Sequence, residues 1–250
     1  MVVERAAAHA TKMIPLPARR PDHHREPAQV RRALAADIPA LSTVLARAFD
    51  ADPFINWFVR QDSRRAQRFT ATFDVALRHM SKNLNETFTT TSLDACAIWK
   101  RPREHTVGFL EQVELLPAFA RVMGWRALPR FSRLLERAQT LHDRLAPMPH
   151  FYLFMLGVDP THQRRGLGSQ LLEPMLDRCD ADSKLAYLET ARSENLSFYS
   201  RHGFELAHIL DEAPFPKLWL MLRPPSARPA ASAARLPGSG TVVSPKQTST

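Results

Sequence analysis

Cysteine is nearly absent from the chain: Cys96 and Cys179 stand far apart, and neither has a second Cys or a His nearby at metal-ligand spacing. That argues against a disulfide framework and a zinc site, and makes a reducing, cytoplasmic setting the expectation. Long apolar runs are missing too. Nothing approaches the roughly 20 apolar residues that cross a bilayer, and the N-terminus has no apolar core of signal-peptide length, so no membrane partner is expected. There is also no block of Lys or Arg interleaved with aromatics, which argues against nucleic acid as the partner. His23 and His24 are adjacent in a proline-rich stretch without partners at ligand spacing. His150, His162 and His202 read as isolated. No metal is expected, and no Ser, His and Asp order suggests a hydrolase.

What the chain does have is a formal charge of +9, and its location matters. Residues 1–28 and 224–250 carry five of these units between them, together with 9 of the 20 prolines, and neither end has a sustained apolar period. Such segments cannot bury enough apolar surface to offset the entropy of ordering them. The expectation is a disordered leader (1–28), one domain (29–223) and a disordered tail (224–250). The modest positive balance left on the domain suits an anionic small ligand such as a nucleotide cofactor.

Along the domain, Val30 to Leu34 reads as a short strand. Asp37 follows as a helix N-cap with Pro39 in the first turn, then Leu41, Val44, Leu45 and Ala48 at helical spacing. Phe54, Ile55, Trp57 and Phe58 form an aromatic patch, read as core or as a substrate wall in which Phe54 and Trp57 take part. Ser63 is a candidate cap for a longer helix carrying Phe69, Phe73 and Leu77. Thr87 to Ser92 and Ala95 to Trp99 suggest a hairpin, and residues 107–145 a helical insertion divided by Pro117, Gly124 and Pro129. Phe151 to Val158 is too densely apolar for a strand with one wet face and reads as a central strand. A helix follows from about Leu167, then a strand at Leu185 to Leu188, a short helix at Asn195 to His202, and strands near Phe204 to Leu210 and Lys217 to Leu222. The fold class is mixed α/β, a mixed sheet flanked by helices.

The stretch from Val158 to Ser169 concentrates the chemistry. A strand ends at Pro160, and a loop with Gly166 and Gly168 enters an amphipathic helix. Amides at a helix start are unpaired and lie at the positive end of the dipole, so they suit a phosphate or pyrophosphate. The segment is not a P-loop, because no Gly-Lys-Ser/Thr follows, and Leu171 stands where a dinucleotide fingerprint needs its third glycine.

Gln163-Arg164-Arg165-Gly166-Leu167-Gly168 resembles the Gln/Arg-x-x-Gly-x-Gly/Ala signature of the GNAT superfamily of acetyl-CoA-dependent N-acetyltransferases. Leu188-Glu189-Thr190, Asn195-Leu196-Ser197-Phe198-Tyr199 and Gly203-Phe204 look like that family's second block. The resemblance spans Phe151 to Phe204, and within the superfamily it is closest to an antibiotic-modifying enzyme. It implies a twisted sheet that splays beside the central strand, with acetyl-CoA in the cleft. Backbone groups of Leu156, Gly157 and Val158 would pair with the pantetheine arm, Gln163, Arg164, Arg165, Gly166, Leu167, Gly168 and Ser169 would hold the pyrophosphate, and Asn195 would hydrogen-bond the cosubstrate. Tyr199 would protonate the departing thiolate, and Glu189 would act as base, with Asp50, Glu111 and Glu114 as lesser candidates. The expected reaction is acetyl transfer to a primary amine, with a small-molecule acceptor. The rivals are a protein or peptide N-acetyltransferase, for which an open acidic groove is expected, and a non-catalytic CoA- or nucleic-acid-binding module.

Overall fold

The computed structural model describes residues 29–80, 84–102, 104 and 117–226. The expected leader, all but three residues of the expected tail, the first part of the helical insertion, Glu111 and Glu114 lie outside them. The elements run β1 (Val30–Arg32), α1 (Ile38–Ala48), α2 (Pro53–Phe58), α3 (Arg65–Val75), β2 (Thr87–Thr90), β3 (Ala95–Lys100), α4 (117–123), α5 (Leu128–Leu145), β4 (Phe151–Val158), α6 (Leu167–Ala181), β5 (Ala186–Thr190), α7 (Leu196–Arg201), β6 (Glu205–Leu210) and β7 (Leu218–Arg223). The seven strands form one sheet in the order β1-β2-β3-β4-β5-β7-β6, so β4 is central. Only β4 and β5 pair in parallel. This is the mixed α/β class expected from the sequence.

Local chemistry shifts two helix starts from their sequence reading. Asp37 caps one turn early: its Oδ2 accepts the Leu34 amide at 2.8 Å and the Arg31 guanidinium at 2.7 Å, and a 3-10 turn (Ala35–Asp37) leads into α1. At α3 the N-cap is Arg64, with no side-chain cap, rather than Ser63, and Asp62 Oδ1 accepts the Arg64 amide at 2.9 Å in the turn before the helix. The helix then widens into a π-helical turn at Ala76–Met80.

Alternation along β3 separates two apolar layers. Cys96 and Ile98 pack with Leu41, Leu45, Phe58 and Phe73 under α1, α2 and α3. Ala95, Ala97 and Trp99 pack with Leu171, Leu172, Met175 and Tyr199 under α6 and α7. The α5 helix covers β5 and β7 through Leu134, Leu141, Tyr187, Leu218 and Leu220. Gly157 is what lets α1 lie flat on β4, since a Cβ there would meet Leu45 Cδ2 at 2.7 Å and Ala48 Cβ at 3.1 Å.

In β4 the alternation breaks once. Ile98 opposes Met155 and Trp99 opposes Leu153, so Phe154 is an extra residue on β4, a bulge. Leu153 and Leu156 face the α6 layer, whereas Phe154 and Met155 both pack in the α1 layer. The dense apolar run is therefore two half-strands of opposite phase.

Candidate active site

Beside that bulge the sheet opens. β4 and β5 pair only through Phe151↔Ala186, Tyr152↔Tyr187 and Leu153↔Leu188. From Phe154 to Val158 the edge of β4 facing β5 has no strand partner among the described residues, while β3 holds its other edge. An extended ligand can add to such an edge through main-chain hydrogen bonds. Leu156, Gly157 and Val158 lie on this segment.

The loop that follows is fixed by Asp159, which is only 5 % exposed. Its Oδ1 accepts the amide and hydroxyl of Thr161 at 3.0 and 2.7 Å, and its Oδ2 accepts Arg47 Nε at 2.8 Å, joining α1 to the loop. Burial pushes the Asp159 carboxyl up, but the bonds from Thr161 and Arg47 outweigh it and hold the group at about 2. Gln163 Nε2 donates to the Val158 carbonyl at 3.1 Å, and Arg165 Nη2 to the Thr161 carbonyl at 3.0 Å. Arg164 (φ 59°) and Gly166 (φ 81°) both adopt the left-handed conformation, which curls a backbone so that successive amides converge. Gly166 is the N-cap of α6, a 15-residue helix whose first turn has no side-chain cap and no acidic residue. Those amides suit an anion.

The two loop glycines have different reasons. A Cβ at Gly166 would meet nothing closer than 3.9 Å, so its positive φ is what calls for glycine. A Cβ at Gly168 would stand 3.2 Å from the Phe198 ring, so its absence seats α6 against α7. Ser169 Oγ, one residue on, lies 3.0 Å from His202 Nε2 and completes that contact. His202, read from sequence as isolated, is therefore engaged.

Behind the splayed strands lies a cavity of about 210 Å³. Phe49, Phe54, Phe58, Phe119, Phe131 and Phe154 supply much of its wall. Glu189, Asn195 and Tyr199 reach it from β5 and α7, and Asp52 from the start of α2. Burial, reinforced by the Asp52 charge, pushes the Tyr199 phenol well above its ordinary value, so it keeps its proton at any working pH. Burial also raises the Glu189 carboxyl; the Tyr187 hydroxyl, donating to Oε1 at 2.6 Å, opposes part of that rise. Asn195 Nδ2 donates to Thr190 Oγ1 at 3.2 Å, tying α7 to the end of β5.

Sequence reasoning brought Phe54, Glu189, Asn195 and Tyr199 to one cavity but placed two other candidates less well. Trp57 lies outside it, its Nε1 donating to the Pro214 carbonyl at 2.9 Å and its ring packed on Phe215 and under Arg130, where it clamps α2 to the β6–β7 loop and α5. Asp50 is held at the surface by Arg65 at 2.7 Å.

Two groups escaped the sequence. Asp52 is not among the carboxylates singled out from the sequence; its Oδ1 caps α2 by accepting the Ile55 amide at 3.0 Å, and it is 7 % exposed. Burial raises its pKa. The second is a buried network behind Glu189. The His142 ring stacks on Tyr187 with centroids 3.9 Å apart, and His142 Nε2 lies 2.6 Å from His150 Nε2. His150, too, is thus not isolated. A carbonyl only accepts, so the 2.7 Å contact of His150 Nδ1 with the Met148 oxygen puts a proton on Nδ1. Neutral His150 then offers a lone pair at Nε2, and His142 donates to it. Burial lowers the His150 pKa, in keeping with the neutral form.

Known proteins bear on this geometry. Residues 132–206 match the family model described as an acetyltransferase (GNAT) domain. Among solved structures, the chain resembles a protein described as histone acetyltransferase HPA2 and related acetyltransferase from Corynebacterium glutamicum, at 19 % identity and a TM-score of 0.59, covering 81 % of this chain and 98 % of that one. It also resembles arylalkylamine N-acetyltransferase 2 from Aedes aegypti (14 %, TM-score 0.52, 78 % and 98 %) and the polyamine N-acetyltransferase of Drosophila melanogaster (13 %, TM-score 0.51, 79 % and 100 %). At these identities the structures establish the fold: the chain has the architecture of GNAT acetyltransferases, and the matched segment contains β4, the glycine loop, α6, β5 and α7.

Proposed function

We propose that the chain is an acetyl-CoA-dependent N-acetyltransferase acting on a primary amine of a small molecule. The observation that carries this reading is the meeting of three features at one place: the partnerless edge of β4, the uncapped start of α6 and a cavity containing Glu189 and Tyr199. The matched acetyltransferase domain and the fold support it. The acyl donor supplies the activated thioester. The main chain from Leu156 to Val158 aligns its arm, and the loop from Gln163 to Ser169 receives its pyrophosphate.

Glu189 takes a proton from the incoming ammonium, directly or through water, and becomes a carboxylic acid; its burial-raised pKa makes it a better base than a solvated carboxylate. The freed amine forms the C–N bond at the thioester carbonyl, an amide near Leu156 steadies the developing oxyanion, and the C–S bond breaks. Tyr199 donates a hydrogen bond to the departing sulfur. Its raised pKa lies above the roughly 8.5 of an ordinary thiol. Complete transfer from the phenol is therefore uphill, and the proton lost by the acylated nitrogen restores the balance. Both cysteines are fully buried, and burial pushes each thiol up to about 12, which favours direct transfer over an acyl-cysteine. A cavity walled by aromatic rings favours a small acceptor over a peptide, for which an open acidic groove is expected. Leu156 to Gly168 and Leu188 to Phe204 also look like puromycin N-acetyltransferase, which favours the same choice.

Free-thiol release from acetyl-CoA with a panel of amines tests this reading. Amine-stimulated release is expected, weakened at least ~100-fold by Glu189→Gln, within the usual range for a proton-transfer group. Gly166→Glu should abolish acetyl-CoA binding through bulk and charge. Absence of amine-stimulated release refutes the activity, and undiminished acetyl-CoA affinity in Gly166→Glu refutes the pyrophosphate site.

A further inference from the structure

We propose that Asp52 is the ammonium anchor of the acceptor site and that the acceptor class is a bulky aromatic or apolar monoamine without a carboxylate. This rests on the acetyl-transfer reading above and specifies its second substrate.

The cavity's described lining has two charged side chains, Asp52 and Glu189, both acidic, and no Lys or Arg. A cationic head is therefore favoured there, and an acceptor that also carries a carboxylate, such as a free amino acid, would bring that charge against two acids with no Lys or Arg in the described lining to pair it. The six phenylalanines offer area and ring edges to an apolar body but no anion to the second ammonium of a diamine. Asp52 is placed to receive the head. Asp52 and Tyr199 line the same cavity, so an ammonium held by the carboxylate enters the chamber that contains the group assigned to the departing sulfur. Its hydrogen bond to the Ile55 amide fixes Oδ1 on the rigid start of α2. Division of labour follows: Asp52 holds the ammonium, and Glu189 on β5 removes its proton.

A cap alone would also explain an Asp before Pro53, and the test separates the two roles. Asn and Ser cap helices about as well as Asp but carry no charge. In Asp52→Asn, KM for 2-phenylethylamine should rise at least ~10-fold, and more than kcat falls, with an unchanged thermal midpoint. Asp52→Ser provides the same reading should the Asn variant fold poorly. In the native protein, kcat/KM should favour 2-phenylethylamine at least ~10-fold over both phenylalanine and putrescine. An unchanged KM in both variants overturns the anchor, and equal or better use of putrescine or phenylalanine overturns the acceptor class. Calorimetric binding of acetyl-CoA without amine distinguishes the levels: donor binding with a polar acceptor preferred overturns this inference and leaves acetyl transfer standing, whereas no donor binding overturns both.

Discussion

The Tyr187 hydroxyl donates to Glu189 Oε1 at 2.6 Å, two residues along the same strand and on the same face of the sheet. The bond favours the ionised carboxylate against the burial that raises its pKa. Tyr187→Phe should therefore raise the Glu189 pKa further. If the ionised carboxylate is the base, kcat/KM climbs with pH through that pKa, and the acid limb of the profile moves to higher pH in the variant. The rate loss should be several-fold below the limb and small above it. An acid limb at the same pH in both proteins would sink the assignment of Glu189 as base.

His142 stacks on Tyr187 and lies 2.6 Å from His150 Nε2, so its removal opens a hole and deletes that hydrogen bond. His142→Ala should cost about 2–4 kcal/mol of stability, combining the cavity with the lost bond. Chemical denaturation measures it. In a double-mutant cycle with His150→Ala the two losses should couple rather than add.

Asp159 gives the loop its acid sensitivity. Its folded pKa of about 2 lies below the ordinary 3.8, so its ionised form stabilises the fold above that ordinary value, and the contribution is lost as pH falls toward 2. Asp159→Asn should lower stability at neutral pH and flatten the fall between pH ~4 and ~2. Denaturation midpoints across that window decide, and an unchanged acid slope counts against the role.

The glycines should rank by their surroundings. Gly157→Ala places a methyl 2.7 Å from Leu45 and should cost about 1–3 kcal/mol through overpacking. Gly166→Ala meets open space and should cost only about 1 kcal/mol, for its left-handed backbone. Thermal unfolding of the two variants tests the order.

Much of this architecture could be read in advance, for identifiable reasons. β4 was legible to its last residue because a continuous apolar run between Pro149 and Pro160 has few other solutions. The glycine loop was legible because left-handed backbone and a helix start leave a local signature. The bulge was not, since an extra apolar residue inside an apolar run changes no pattern; only the partner strand exposes it. Asp52, His142 and His150 escaped for a related reason: Asp52 meets Glu189 and Tyr199 from more than a hundred positions away, and the two histidines meet each other and Tyr187 only once α5, β4 and β5 are packed together. Asp37 stands at the N-cap of α1 as read, although its side chain serves the preceding turn, whereas Ser63 fell one residue short of the N-cap of α3, because several polar residues compete to satisfy the same free amides.

The bulge at Phe154 also makes β4 a phase-shifted ruler. Before it, odd-numbered residues face α6; after it, even-numbered residues do. Removing that one residue would restore a single parity and exchange the faces of one half-strand, either the half that anchors the sheet or the half that runs beside the cleft. The length of β4, as much as its composition, is thus held by the cavity wall, and natural or engineered changes of acceptor should come by substitution within this strand and never by insertion or deletion.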